Sequence, residues 1–235
     1  MPFFALFDPL YWLLIGPAML LALWAQLKVK SSVKHWSKYA TSGGYTGVNA
    51  AAAVMRAGGV NDVNIEVTKG WLSDHYDPAS KTLRLSPNIY HSNSVAAVGI
   101  AAHEAGHALQ HAKNYAPLHL RSAIVPMANF GSWLSWPMII IGAMLGSLGL
   151  VKIGIVLFSG LVIFQIITLP VEFDASARAK KALQSIGIVS SREEAQGVSA
   201  VLSAAAMTYV AATITAVVQL LYLVMRFGLL GGSRD

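Results

Sequence analysis

Two histidines and a glutamate in the stretch AAHEAGHALQH (residues 101–111) have the types and spacing of a zinc site. Positions four apart on a helix share a face, so His103 and His107 can offer imidazole nitrogens to one ion. Glu104 adjoins His103 and can reach a water beside that ion. The HExxH arrangement predicts two zinc ligands and a general base, which accepts a proton as the water attacks a carbonyl. The alternative is a chance string on a buried helix.

A third ligand is needed, because a catalytic zinc usually has three protein ligands and one open position. The chain has no cysteine, so this ligand must be a histidine or a carboxylate. His111 is a poor candidate, since helical rise places it about 12 Å from His103. Glu172 is a better one: Pro170 is expected to end an apolar span, and Glu172 to open a new helix behind it. The competing interpretation, an acid stabilised by a helix N-terminus, suits Asp174 better.

The composition of the chain indicates that these residues belong to a membrane protein. Apolar residues make up 55% of the 235 and charged residues only 12%, about half the charged share of a soluble domain. An apolar run of about 20 residues can cross a bilayer as a helix. The first run lacks the basic start and cleavage site of a signal peptide and is predicted to be an uncleaved anchor. The four predicted spans are residues 3–27, 131–149, 153–169 and 201–225, the middle two forming a hairpin that turns at residues 150–152.

The distribution of basic residues predicts the orientation in the membrane. Fourteen of the 17 Lys and Arg lie in residues 28–130 and 170–200, and three lie on the opposite side. Since cytoplasmic loops carry an excess of basic residues, we expect these two segments in the cytoplasm. No nucleic-acid-binding motif accompanies the charge of +6. A multi-pass protein of the plasma (inner) membrane is predicted, with the bilayer and no nucleic acid among its partners.

A small α+β layer is predicted before the HExxH helix. TGVNAAAAVMRA, residues 46–57, is typical of a helix that stops at Gly58 and Gly59. Residues 63–67 and 81–86 alternate as strands do, and the second is expected to be an edge strand able to pair with an extended substrate. The predicted parts are an anchor (1–27), a cytosolic part with HExxH (28–130), a membrane hairpin (131–169), a cytosolic helix with the third ligand (170–200), and a last membrane helix with its tail (201–235).

The chain resembles the YugP-type membrane zinc metallopeptidases, also called neutral zinc metallopeptidases. The resemblance rests on SPNIYHSNSVAAVGIAAHEAGHALQH, PVEFDASARA and VLSAAAMTYVAA, together with the anchor and the hairpin. The chain is more distantly similar to the HtpX and CAAX-processing membrane proteases, which place a glutamate ligand after a membrane segment. In that wider group an aspartate usually follows the glutamate by four residues. Ser176 stands at that position here, so Ser176 or Asp174 is expected to support the histidines instead.

The function expected from these features is that of a membrane-anchored zinc endopeptidase of the gluzincin type, acting on proteins or peptides, membrane proteins among them. Arg178 and Tyr209 are candidate donors to the oxyanion of the tetrahedral intermediate, or else an ordinary surface arginine and a packed tyrosine. Two alternatives are a site-2-type intramembrane protease, for which no NPDG-like motif is found, and a non-catalytic membrane scaffold, which would not need Glu104. Neither the substrate nor the oligomeric state is predicted.

Overall fold

A computed structural model of the chain describes residues 8–70 and 73–228. The described part is mainly helical, with one small sheet. Its elements are α1 (Pro9–Trp36), α2 (Gly47–Ala57), β1 (Asn64–Val67), β2 (His75–Asp77), β3 (Thr82–Leu85), α3 (Pro87–Tyr90), α4 (Val95–Ala112), α5 (Ala116–Met144), α6 (Leu148–Ser185) and α7 (Arg192–Arg226). By length and composition α1, α5, α6 and α7 could each cross a membrane. The expectation of a mainly helical chain with about four long apolar helices and a small sheet is confirmed. Residues 1–7 of the predicted anchor and residues 229–235 of the predicted tail lie outside the described residues.

The chain forms two compact units. The first, which we call the apolar unit, contains the described parts of Met1–Trp24, Leu120–Leu169 and Thr208–Asp235. Its core is built from residues of all four long helices, including Tyr11, Ile139, Phe158 and Tyr222. The second, the mixed unit, contains Ala25–His119 and Pro170–Met207 and holds the sheet together with α2, α3 and α4.

Local sequence signals explain the ends of the helices in the mixed unit. The Thr46 side chain caps α2 by accepting the Asn49 N–H. Gly58 follows the last residue of α2, as predicted from the sequence. Ser94 caps α4 in the same manner, accepting the Ala97 N–H at 3.2 Å. These hydroxyls satisfy N–H groups that have no partner within the helix. The HExxH residues lie in the third and fourth turns of this capped helix.

The three strands form a sheet of order β1-β3-β2. Strand β3 pairs parallel to β1 and antiparallel to β2, so both of its edges are occupied. The predicted strands at 63–67 and 81–86 are confirmed as β1 and β3, but the prediction that the second is an edge strand is wrong. Strand β2 was missed, because three residues are too few to show an alternating pattern. An extended substrate therefore cannot pair with β3.

Two predictions about α6 are wrong. The turn between α5 and α6 lies at residues 145–147, where Gly146 adopts a φ of +64°, and not at 150–152. A positive φ favours glycine, whereas the prediction rested on apolarity, which does not distinguish a short turn from a helix. Pro170 also lies inside α6 rather than ending a helix. Proline removes one backbone N–H donor, and the turns on either side of it here remain helical.

Candidate metal centre

His103, His107 and Glu172 lie together in the mixed unit. Each offers one ligand atom, and the three atoms are within 4.8 Å of one another, a grouping that is unique among the His and acidic residues of the described segments. The Nε2 atoms of His103 and His107 lie 3.2 and 3.7 Å from the same Oε2 of Glu172. Glu172 and His107 are buried, and His103 is partly exposed. Residues separated by 69 positions in the chain thus converge on one point.

Close packing between α4 and α6 brings the carboxylate to the histidines. Gly106 lies between the two histidines in sequence and has no Cβ. A Cβ at this position would lie 2.5 Å from the backbone oxygen of Ala175, a separation that real Cβ atoms do not show. Glycine therefore permits the backbones of α4 and α6 to approach closely.

The far ring nitrogen of His103 contacts a serine. Nδ1 of His103 lies 3.1 Å from Oγ of Ser176, which is buried one helical turn beyond Glu172. A partner on this side orients the ring and leaves Nε2 directed at the carboxylate. The expectation that Ser176 replaces an aspartate beside the histidines agrees with this contact.

The far ring nitrogen of His107 contacts a glutamine that the sequence analysis did not single out. Nδ1 of His107 lies 2.9 Å from Oε1 of Gln110, which is completely buried. The Gln110 amide donates to the Val171 backbone oxygen and to Oδ2 of Asp174, both at 2.8 Å. The available signal was the position of Gln110, three residues after His107 on a helix whose other buried residues are apolar.

Glu104 is partly exposed, as His103 is, whereas His107 is buried. Burial raises the pKa of its carboxyl above the ordinary value, while the neighbouring His103 and His107 oppose this shift. A carboxylate with a raised pKa is a better proton acceptor. Glu104 thus has the chemistry of a general base next to the three candidate ligands.

Arg178 and His111 have described contacts outside the three candidate ligands. Arg178 pairs through Nε with Oδ2 of Asp174 at 2.5 Å, and its guanidinium lies 5.5 Å from the centre of the Tyr115 ring. Tyr209 lies on α7, and its oxyanion role stays a prediction. His111 faces elsewhere, with Nδ1 2.8 Å from the Tyr76 hydroxyl, consistent with its rejection as a ligand.

The donor set suits a zinc ion. Two imidazole nitrogens and a carboxylate oxygen are a common ligand set of catalytic zinc. When the imidazoles are neutral, the three facing atoms are all electron-pair donors, and a cation between them removes their mutual repulsion. The contacts of Ser176 and Gln110 on the opposite ring nitrogens are those expected around metal-binding histidines. The residues present therefore fit the metal.

Comparisons with known proteins agree with this chemistry. The chain is 48% identical over 211 residues to the "Putative membrane protease YugP" of Bacillus subtilis (strain 168), covering 89% of this chain and 93% of that protein. No solved structure matches the chain. This relative and the four long apolar helices identify a membrane protein. The sequence model of the family described as "Putative neutral zinc metallopeptidase" matches residues 11–228, which confirms the resemblance seen in the sequence. The chain belongs to the neutral zinc metallopeptidase family.

Proposed function

We propose that the protein is a membrane-anchored zinc endopeptidase in which His103, His107 and Glu172 hold the metal. The observation that carries the proposal is the convergence of these three side chains within 4.8 Å. Family membership supports the same metal and the same reaction class. A bound zinc ion polarises a peptide carbonyl and lowers the pKa of a water molecule towards about 7.

Glu104 supplies the acid–base chemistry in this proposal. Its carboxylate accepts a proton from the attacking water and then passes that proton to the nitrogen of the leaving amine. Its partial exposure suits both transfers. Ser176 and Gln110 keep the two imidazole rings oriented during turnover. The oxyanion roles of Arg178 and Tyr209 remain predictions.

The arrangement proposed around this site is that of a small gluzincin-like domain facing the cytoplasm. It comprises residues 28–130 and 170–200, between an anchor at 1–27, a membrane hairpin at 131–169 and a last membrane helix with its tail at 201–235. The support is the excess of Lys and Arg in the two central segments. Substrates are proteins or peptides, membrane proteins among them.

The test is hydrolysis of casein by the purified, zinc-loaded protein beside its Glu104→Gln variant. Glutamine keeps the size of the side chain but cannot accept the proton, so we expect cleavage by the parent and a loss of at least about 100-fold in the variant. Glu193→Gln, at an exposed position of α7, is the matched control and should cleave as the parent does.

Equal cleavage by Glu104→Gln and the parent would remove Glu104 from the mechanism. Cleavage by neither protein, with zinc bound to both, would instead favour the non-catalytic scaffold. A zinc measurement on each sample separates these outcomes from simple loss of metal.

A further inference from the structure

We infer that Gln110 is a positioning residue that sets the tautomer of His107, and that Asp174 and Arg178 hold Gln110 in place. The inference rests on the proposed zinc function for its purpose, but its geometry does not depend on a bound ion. It assigns to Arg178 a role different from the oxyanion contact expected from the sequence.

The hydrogen-bond partners of Gln110 leave one orientation of its amide. The Val171 backbone oxygen only accepts hydrogen bonds, and so does an ionised Asp174 carboxylate. Both lie 2.8 Å from the same Gln110 atom, which must therefore be the NH₂ group. The Gln110 oxygen consequently faces His107.

This oxygen determines where the hydrogen of a neutral His107 sits. An amide oxygen only accepts, so Nδ1 of His107, 2.9 Å away, must carry the hydrogen. Nε2 then has a free electron pair, directed at the side where Glu172 lies 3.7 Å away. This is the tautomer that a metal requires at Nε2. By contrast, the Ser176 hydroxyl beside His103 can donate or accept and leaves that tautomer undetermined.

Charge pairing secures the far end of this chain of contacts. Arg178 pairs with Oδ2 of Asp174, the same oxygen that accepts from Gln110. The arginine holds the Asp174 carboxylate in place, and its guanidinium rests over the Tyr115 ring. Because Gln110 is completely buried, its amide has no water to replace a lost partner. A substitution of Arg178 should therefore weaken zinc binding, because it loosens Asp174, then Gln110, and so the orientation of His107.

The first test measures zinc affinity by competition with a chromophoric chelator. Gln110→Met keeps the size of the side chain and removes its hydrogen bonds, and we expect zinc binding to weaken by about 10–100-fold. Arg178→Met should weaken it in the same direction, with substantial recovery in Arg178→Lys, which restores the charge. Lys113→Met, at an exposed position just after α4, is the control for methionine substitution and should bind zinc as the parent does.

The second test reads the tautomer directly in the metal-free protein. Nitrogen-15 NMR of the histidine rings, above the pH range in which imidazole protonates, should show hydrogen on Nδ1 of His107 in the parent. His107→Asn identifies the signal. In Gln110→Met the Nδ1–H form should lose its dominance. If Gln110→Met fails to fold, the zinc affinities of the two Arg178 variants and the NMR spectrum of the parent still decide the question.

Parent-like zinc affinity in both Gln110→Met and Arg178→Met, or an Nε2–H form of His107 in the parent, would overturn the inference. Reduced turnover with unchanged zinc affinity in Arg178→Met would return Arg178 to the oxyanion role. If the parent binds no zinc but shows the Nδ1–H form, the proposed function fails while the assignment of Gln110 stands.

Discussion

At the scale of single residues, the two candidate metal-binding imidazoles are supported by chemically different partners. Ser176 contacts the far nitrogen of His103, and Gln110 contacts that of His107. A serine hydroxyl can donate or accept, whereas the buried Gln110 amide is fixed by two further acceptors. The orientation of His103 should therefore be the easier of the two to improve by substitution.

Replacing Ser176 tests this support at His103. Ser176→Ala should weaken zinc binding by about 10-fold, the lower end of the usual effect of such partners. Ser176→Asp should recover or exceed the parent affinity, because a carboxylate accepts the Nδ1 hydrogen more strongly and matches the residue found in the more distantly similar proteases. Competition titration of zinc measures both. An aspartate variant that binds zinc more weakly than the alanine variant would contradict this role.

Local sequence features predicted the three candidate ligands and Glu104, and the resemblance pointed to Ser176 or Asp174 as a supporting residue, but nothing in the sequence analysis indicated Gln110. His103, Glu104 and His107 are predicted by their repeat along one helix, and Glu172 by its place after an apolar span. Gln110 could not be found in this way, because glutamine is not a usual zinc ligand. Its role depends on the position of Val171 and Asp174, which only the packing of α6 against α4 determines.

At the scale of elements, the approach of α4 to α6 is the contact on which the centre depends. Both helices present small residues there, Gly106 on one and Ala175 on the other, and Ala175 is completely buried. Any added volume must separate the two backbones or shift Glu172 relative to the histidines. Well-packed interiors accommodate such volume poorly.

Gly106→Ala should therefore lower both stability and zinc affinity. Its Cβ would lie 2.5 Å from the Ala175 backbone oxygen, and overpacking of this kind costs about 1–3 kcal/mol of the free energy of unfolding. Thermal unfolding in detergent, with a zinc titration alongside, measures the two effects. The control is Gly160→Ala, since a Cβ at Gly160 meets nothing within 4 Å. Equal midpoints for the two variants would show that the close approach is unimportant.

The elements were predictable where a local signal sets them. Thr46 and Gly58 mark the two ends of α2 because capping acts within a few residues. The prediction that Pro170 ends a helix was wrong. Proline disfavours a helix only at its own position, and the residues on both sides of Pro170 remain helical. Strand β2 depends on pairing with β3, a partner that three residues cannot indicate by themselves.

At the scale of the whole molecule, composition predicted the four long apolar helices because the bilayer imposes their length and character. The sorting of residues into an apolar unit and a mixed unit follows the same contrast in polarity. The side of the membrane on which the mixed unit lies is a separate matter, since it depends on the excess of Lys and Arg in the connecting segments.

Single introduced cysteines can test this orientation, because the chain has none of its own. Gly43→Cys, at an exposed position between α1 and α2, should react with a membrane-impermeant thiol reagent only after cells are opened. Lys152→Cys, exposed near the start of α6, should react in intact cells. The reverse pattern would place the mixed unit outside the cytoplasm.

The central claim is that His103, His107 and Glu172 hold one zinc ion, and the most direct test is the zinc content of the purified protein beside Glu172→Ala. We expect about one zinc ion per parent chain and a small fraction of that in the variant, with both proteins inserted equally in the membrane. Glu193→Ala, at an exposed site, should retain the parent content. Unchanged zinc in Glu172→Ala would contradict the account, because the metal would then be held without the carboxylate on α6.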